Sequence, residues 1–343
     1  MGMRVVLRLA VLVALASLTP GPPADAASPY EGQTIRIIVG YSPGGGFDTS
    51  ARALARHMAR YIPGNPSFVV ENMPGAGSMI AANFTFNRAK PDGLTIGYFI
   101  GDLLQQEILG GQGVAFDSKK FEWMGAVSTT PICLTTKASG ISSLDKWFAA
   151  KEPVKLAGGG PGDNSNVIAN TLQAALGLPL RLVSGHKGAA DMKLAAQRGE
   201  VAGGCQSWET TKVLWQEAVA AGDIHVLLQA APEKHPELPQ VPLATELAKT
   251  DEARQLIKAA IQGPARITRL FAIPPGTPKD RVAILRKAFL DTLKDAEFVA
   301  DAKKSKIDID AVAGDEVEKV VGDLHAVPAA LKPKLKELLL PKG

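Results

Sequence analysis

The residues best suited to chemistry lie in a glycine-rich turn that follows the first predicted strand. This first turn contains Gly44, Gly45, Gly46, Phe47 and Asp48, and a predicted helix follows it directly. Glycines at the start of a helix expose several backbone N–H groups in one direction, beside the positive end of the helix dipole. A ligand can approach this backbone closely because no Cβ stands in its way. The turn therefore predicts an anion site, and a tight turn without a ligand is the alternative.

Three further turns also separate a predicted strand from a predicted helix. Their candidate ligand-binding residues are Gly75, Ala76, Gly77 and Ser78 in the second turn, Gly160, Asp163 and Ser165 in the third, and Gly188 and Ala189 in the fourth. Each turn alone could be purely structural, but four of them favour a binding role for backbone amides and serine hydroxyls. Three or four hydrogen bonds to a carboxylate, at about 1.5–3 kcal/mol each, would contribute about 5–12 kcal/mol before the cost of association. None of the four turns contains an arginine.

The sequence lacks the patterns of common catalytic and metal sites. No G-x-S-x-G, H-E-x-x-H or C-x-x-C pattern occurs, and the five histidines do not have metal-ligand spacing. Ser143 begins an S-x-x-K match, yet it stands where a helix N-cap is expected. We therefore expect neither a metal nor a cofactor. If the protein were an enzyme, Asp48, Asp102 or His186 would be its titratable groups.

Composition and charge limit the classes of function. The chain has 343 residues, of which 46% are hydrophobic and 21% are charged, as is typical of a globular protein with about two domains. The formal net charge is +4, and the basic residues are scattered along the chain. A nucleic-acid partner is therefore not expected.

The N-terminal residues have the pattern of an export signal. Arg4 and Arg8 precede a short apolar run, which is followed by prolines and an A-x-A-like sequence that ends at Ala26. This pattern predicts a signal peptide over residues 1–26 and an exported, periplasmic mature protein. In an oxidising compartment Cys133 and Cys205 could form a disulfide if they lie on neighbouring strands, but we favour two separately buried thiols.

The elements that must position the four turns form two α/β units. Short β-branched or apolar runs predict strands at residues 33–40, 67–71 and 94–100, and then at 131–136, 154–157, 180–183 and 201–206. Amphipathic helices alternate with these strands, which predicts mostly parallel sheets covered on both faces. Ligands of such sheets bind beyond the carboxyl ends of the strands, where the turns lie, so two facing units would share one cleft.

Several motifs together resemble the Bug-type solute receptors of tripartite tricarboxylate transporters. The matching segments are Ile35–Val39 with the first turn, Glu71–Ser78, Ala89–Thr95, His186–Val201 and Pro275–Pro278. The resemblance implies a type II periplasmic-binding-protein fold, in which two α/β lobes close on a ligand. It implies a first lobe of residues 27–125 plus 229–343 and a second lobe of residues 126–228. It also implies that the partners are a small organic carboxylate and the membrane permease subunits that receive it.

The sequence departs from the family pattern at several cleft positions. Phe47 replaces a common threonine, and Asp102 and Asp163 fall in loops that usually read Gly, Ser or Thr. If both carboxylates point inward, they oppose a purely anionic ligand and favour one that carries a cation or polar donors. The segment containing Gln206 and Trp208 replaces the usual strand end, and Trp208 could form the floor of the cleft against an apolar ligand body.

The leading hypothesis is therefore a non-catalytic exported receptor that captures a small carboxylate between two lobes. An exported hydrolase or isomerase that acts on a small acid in the same cleft is the alternative. A receptor that signals to a sensor kinase, rather than delivering its ligand to a permease, is a third possibility.

Overall fold

The computed structural model describes residues 28–44, 46–159, 163–186, 188–307 and 309–340. The predicted signal peptide at residues 1–26 lies outside these ranges, as do the candidate site residues Gly45 and Gly160. In the described part of the chain, no helix combines the length and the apolar character that crossing a membrane requires.

The described residues form eleven strands and fifteen α-helices. The strands are β1 (Thr34–Val39), β2 (Ser67–Asn72), β3 (Thr95–Ile100), β4 (Glu122–Val127), β5 (Pro131–Thr136), β6 (Val154–Ala157), β7 (Leu180–Val183), β8 (Gly203–Ser207), β9 (Ile224–Gln229), β10 (Arg269–Ile273) and β11 (Ala311–Ala313). The helices are α1 (Gly46–Met58), α2 (Met79–Asn87), α3 (Asp102–Ile108), α4 (Leu144–Phe148), α5 (Asn164–Leu176), α6 (Ala189–Gln197), α7 (Trp208–Leu214), α8 (Gln216–Ala221), α9 (Ala244–Leu247), α10 (Asp251–Ile257), α11 (Gly263–Arg266), α12 (Lys279–Lys294), α13 (Ala296–Ser305), α14 (Gly314–His325) and α15 (Lys332–Leu339).

The first lobe is built on a six-stranded sheet with the order β11-β4-β10-β3-β1-β2. Strands β1, β2 and β3 run parallel, as their alternation with helices predicts, whereas β10 pairs antiparallel with both β3 and β4. Successive residues face opposite sides, so Tyr98 packs in the core cluster under α1 and α12 while Phe99 packs in the cluster under α2, α3 and α14. Apolar cores on both faces explain why these strands lack a polar side.

The second lobe is built on a five-stranded sheet with the order β7-β6-β8-β5-β9. Strands β6, β7 and β8 are parallel, and β5 runs antiparallel between β8 and β9. Leu156 packs on one face against α5, and Ala157 packs on the other face in the cluster that contains residues of α6 and α7. The two sheets together confirm the predicted α/β class, although each contains antiparallel strands that the sequence pattern did not indicate.

The chain passes from the first sheet to the second through residues 128–130, which join β4 to β5. After β9, helix α10 and the π-helical turn Lys258–Gln262 remain against α5 before β10 enters the first sheet. The C-terminal helix α15 packs on α5 as well. Residues 229–343, which were predicted to belong to the first lobe, thus include two helices, α10 and α15, that contribute to the core of the second sheet, and the lobe boundaries stay a prediction.

The two cysteines form a disulfide. Cys133 of β5 lies directly opposite Cys205 of β8 in the antiparallel register, and their sulfur atoms are bonded. The expectation of two separate thiols was therefore wrong. A disulfide was expected only if the two cysteines lay on neighbouring strands. They do, because β5 lies between β8 and β9 in the sheet, an order that the sequence pattern does not reveal.

Candidate functional site

Helix starts from both lobes meet at one cleft. Helices α1, α2 and α3 begin after the carboxyl ends of β1, β2 and β3, and helices α5, α6 and α7 begin after those of β6, β7 and β8. Burial raises the pKa of the Asp102 carboxyl group at the start of α3 to about 6, with a smaller contribution from the charge of Asp163 at the start of α5. Ligands of such sheets bind beyond the carboxyl ends of the strands, which places the cleft at these helix starts.

Asp48 organises the first turn through hydrogen bonds within the protein. Its buried carboxylate accepts hydrogen bonds from Gly44 N (2.9 Å), Asn72 Nδ2 (3.0 Å) and Arg52 Nε (3.0 Å). The Arg52 side chain, followed by the other two donors, holds the pKa of Asp48 below its usual value against the opposing effect of burial. A direct contact of Asp48 with a ligand stays a prediction, and the Gly44 amide is already satisfied by the protein itself.

Phe47 presents an aromatic surface beside this turn. Its ring packs between Tyr41, at 4.4 Å between ring centroids, and Tyr98, at 4.9 Å. Burial raises the pKa of Tyr41 to about 12, so its phenol is neutral at physiological pH. Phe47 is partly exposed. This position therefore offers an apolar surface where a family threonine would offer a hydroxyl.

Sequence reasoning missed Arg269, which brings a positive charge to the first turn. The Arg269 guanidinium lies 5.2 Å from the centroid of the Phe47 ring, and its Nη1 donates to Gly46 O (3.2 Å) and Ser50 Oγ (3.1 Å). It stands at the first residue of β10, 223 positions after Gly46. No motif singles out this residue, because the segment around Arg269 has only the pattern of a strand.

The second turn contains four consecutive residues with positive φ. The φ values are 138° at Gly75, 45° at Ala76, 61° at Gly77 and 71° at Ser78, and such angles are costly for residues other than glycine. Gly77 and Ala76 are exposed at the end of β2. The strained backbone thus displays this segment at the cleft, where its amides can face a ligand.

Ser78 anchors the second turn to the first sheet. Its side chain is fully buried, and its hydroxyl accepts a hydrogen bond from Ile100 N (3.2 Å). A Cβ on Gly40 would lie 2.1 Å from the Ser78 Cβ, so the serine fits against bare backbone. The hydroxyl thus links the second turn to β3, and the role of Ser78 as a ligand donor stays a prediction.

Asp163 and Ser165 hold the third turn together. The Asp163 carboxylate caps α5 by accepting from Ser165 N (2.9 Å) and from the Ser165 hydroxyl, which in turn accepts from Gly159 N (3.1 Å). A Cβ on Gly159 would lie 2.4 Å from the Asp163 Cγ. Ser165 is buried and its hydroxyl donates a hydrogen bond to Asp163, so the structure gives this hydroxyl an internal role, and its role as a ligand donor stays a prediction.

The fourth turn is attached to the third. Gly185 N donates to Gly159 O (3.1 Å), and His186 donates to Gly158 O through its backbone N (3.2 Å), with its ring Nδ1 at 2.9 Å from the same oxygen. Gly188 caps α6, and Ala189 is the first residue of that helix. Both residues are partly exposed at a helix start, where backbone N–H groups point along the axis toward the cleft.

The two remaining candidates on the second lobe have structural partners. Trp208 is buried in the core of the second sheet and donates from Nε1 to Glu237 (2.6 Å). It does not form a floor for the cleft, because the start of α7 turns its ring toward the core. Gln206 donates to Thr211 Oγ1 (2.8 Å) and is partly exposed.

Among the described residues, one group of side chains lies close enough together to hold a metal ion. His57, Asp295 and Glu297 bring their ligand atoms within 4.8 Å of one another. However, Arg60 donates to Glu297 (2.6 Å) and Tyr61 donates to Asp295 (2.5 Å). Since the arginine already balances the carboxylates, the group is better described as an ion-pair network between α1 and the start of α13.

Comparison with known proteins identifies the family. The model of the tripartite tricarboxylate transporter family receptors matches residues 50–331. A UPF0065 protein of Agrobacterium vitis is 27% identical over 325 residues, which cover 91% of this chain and 83% of that protein.

Solved structures have the same fold. A TctC solute binding protein from Polaromonas superposes with a TM-score of 0.72 at 19% identity, covering 90% of this chain and 99% of that structure. MatC from Rhodopseudomonas palustris, solved with bound malate, superposes with a TM-score of 0.60 at 21% identity, covering 90% of this chain and 99% of that structure. The resemblance found in the sequence motifs is thereby confirmed, and the chain belongs to the tripartite tricarboxylate transporter family receptors.

Proposed function

We propose that this receptor captures a small organic carboxylate in the cleft and delivers it to the permease subunits of a tripartite tricarboxylate-type transporter. The observation that carries this proposal is that strands of both sheets lead directly into helix starts, with the Arg269 guanidinium at the first of them, within a chain of the receptor family. MatC, a protein of the same fold, binds malate. An acid of that size and charge suits this set of donors.

The carboxylate would bind on the first-lobe side of the cleft. Exposed backbone at Ala76 and Gly77 would donate to it there, beside the positive charge of Arg269, whose guanidinium also bonds to Gly46 O and Ser50 Oγ. Hydrogen bonds to a charged partner contribute about 1.5–3 kcal/mol each, and about 8 kcal/mol is enough for micromolar affinity. Two or three first-lobe donors would not overcome the cost of association by themselves, so further contacts from the second lobe are required.

Recognition would consist of lobe closure. A ligand stabilises the closed state only if it contacts both lobes, because a ligand that binds open and closed forms equally shifts nothing. Gly188 and Ala189 would provide the second-lobe contacts. Helices α10 and α15 would move with the second lobe, since they pack on α5.

We infer export to the periplasm from the predicted signal peptide. The disulfide between Cys133 and Cys205 supports this location, because disulfides persist in oxidising compartments. We also propose that the protein is not an enzyme. Two of the three titratable groups considered for the enzyme alternative, Asp48 and His186, are engaged in holding turns.

The test is a calorimetric titration of the purified mature chain with a panel of small acids, including dicarboxylates, hydroxy acids and amino acids, and their neutral amides. We expect at least one acid to bind with micromolar affinity and to be recovered unchanged. Arg269→Gln should weaken that affinity by about tenfold to a hundredfold, whereas Arg181→Gln, an exposed arginine of β7, should leave it unchanged. Absence of binding by every acid, or chemical conversion of the bound acid, would contradict the proposal.

A further inference from the structure

A cavity lies where the two lobes join, and none of the described residues that line it belongs to the four turns. The volume of this junction cavity is about 340 Å³, within the range of about 300–1,000 Å³ that small-molecule sites occupy. Its walls include Val320 and Leu324 of α14, which belong to a core cluster of the first sheet. They also include Ala259 and Leu331, which pack in the core of the second sheet. A molecule in the junction cavity would therefore contact both lobes.

The lining of the junction cavity is mostly apolar, and its charged groups are balanced. Further apolar residues in the walls are Pro232, Ala326, Val327 and Pro328. Lys258 and Asp323 carry opposite charges on exposed side chains, and Arg266 forms an ion pair with Glu316. Since no charge of one sign prevails, the cavity is complementary to a neutral molecule rather than to an ion.

A π-helical turn forms part of the wall. Over Lys258–Gln262 the helix widens, and Gly263 N donates to Lys258 O, five residues earlier. The turn is also bound to the first lobe, because Gln105 of α3 donates from Nε2 to Ala259 O (2.8 Å). Such π-helical turns are rare and occur frequently at functional sites. The turn thus fixes the position of Gln262, its last residue.

Gln262 supplies a buried polar group to the junction cavity. Only 6% of its surface is exposed, and its Nε2 donates to Ala231 O (2.7 Å). Because the amide nitrogen is engaged, the side-chain oxygen Oε1 is the atom left to accept a hydrogen bond. This oxygen has no hydrogen-bond partner among the residues that the structure describes. A buried acceptor without a partner is costly, so a ligand that brings a donor gains affinity by binding to it.

We propose that the junction cavity is a second ligand site, which takes a small neutral molecule with an apolar body and one hydrogen-bond donor, such as a phenol or an alicyclic alcohol. The apolar body would pack against Val320, Leu324 and Leu331, and the donor would bind to Oε1 of Gln262. Burial of the apolar body drives binding, whereas the hydrogen bond selects molecules that have a donor. This site is separate from the carboxylate site and does not depend on the proposed function.

The experiment compares phenol with anisole, in which a methyl group replaces the hydroxyl hydrogen. Both molecules are neutral at about pH 7 and have the same ring, but only phenol can donate a hydrogen bond. Each is titrated into the mature disulfide-bonded chain, and binding is followed by the NMR signals of the Val320 and Leu324 methyl groups. We expect phenol to bind saturably, with millimolar affinity or better, and about tenfold more tightly than anisole.

Two variants test the two parts of the site. Gln262→Leu removes the acceptor, so phenol should lose its advantage over anisole. Ala326→Trp places an indole ring in the cavity and should weaken the binding of both molecules by about tenfold or more, since close-packed interiors leave no space for both rings. Ala330→Trp is the matched control, because Ala330 is exposed and does not line the cavity, and it should leave both affinities unchanged. Circular dichroism checks that all three variants are folded.

Each contrary result would overturn the inference. These results are equal binding of phenol and anisole by the wild-type chain, unchanged binding by Ala326→Trp, a preference for phenol that persists in Gln262→Leu, and no saturable binding of phenol. If Gln262→Leu does not fold, the wild-type preference and the comparison of Ala326→Trp with Ala330→Trp still decide. The titration with small acids tests the proposed function separately, so failure of this site and failure of the receptor function are distinguishable.

Discussion

In the first lobe the glycine-rich turn before α1 is held by a buried carboxylate, whereas in the second lobe the turn before α5 is held mainly by a hydroxyl. The Asp48 carboxylate accepts hydrogen bonds from Gly44 N, Asn72 and Arg52. The Ser165 hydroxyl accepts a hydrogen bond from Gly159 N and donates one to Asp163. The first lobe therefore pairs its anchoring carboxylate with an arginine, whereas the second lobe holds its carboxylate with hydrogen bonds from Ser165. Similar turns are thus held by an ion pair in one lobe and by uncharged donors in the other.

The lobes differ also in how their sheets are stabilised. The first sheet relies on apolar packing and a column of rings in which Tyr98 stacks on Phe271 at 4.1 Å between centroids. The second sheet adds a covalent bond between β5 and β8, which closes a loop of 72 residues. The second lobe should therefore depend on redox conditions and the first should not.

Removing the disulfide should produce the largest change. The double variant Cys133→Ala with Cys205→Ala should lose about 4 kcal/mol of unfolding free energy, because the loop is no longer restrained in the unfolded chain. Urea denaturation measures this loss, and variants that keep a single tryptophan report on each lobe, since Trp123 lies in β4 of the first sheet while Trp147 of α4 packs in the core of the second. If only the unfolding reported by Trp123 became less stable, or if the unfolding free energy did not fall at all, the proposed difference in how the two lobes are stabilised would be contradicted.

Removing the first-lobe anchor should have the next largest effect. Asp48→Ala leaves Gly44 N and Arg52 without their acceptor and should cost about 3 kcal/mol of unfolding free energy. Asp48→Asn retains an acceptor and serves as the matched control, with a smaller loss. Because the pKa of Asp48 is lowered in the folded protein, its stabilising effect exists above the pKa of the unfolded chain and disappears as the pH falls through the folded value. If the difference in unfolding free energy between wild type and Asp48→Asn stayed the same at low pH, this account would be refuted.

Removing the second-lobe hydroxyl should have the smallest effect. Ser165→Ala deletes two neutral or partly charged hydrogen bonds and should cost about 1–2 kcal/mol, measured by the same denaturation. Ser142→Ala changes an exposed serine and is the control. A cost equal to that of Asp48→Ala would mean that the two turns are anchored with similar strength.

Several features could be predicted because they depend on neighbouring residues. Short apolar strands followed by glycines and a helix start specify each strand–turn–helix unit, and the motifs from Ile35 to Pro278 are sufficient to identify the family. The side-chain roles were less predictable. Asp48, Ser78, Ser165 and Trp208 all lie near the predicted cleft, yet hydrogen bonds within the protein engage each of them.

The sequence by itself thus determined the α/β class, the family and the places where the backbone turns at the cleft, since these follow from local periodicity and glycine content. Only the tertiary structure decided that Arg269 joins the first turn and that Cys133 bonds to Cys205. The physical reason is distance along the chain. Each of these contacts joins residues that the sheets bring together, and spacing in the sequence carries no record of which strands become neighbours.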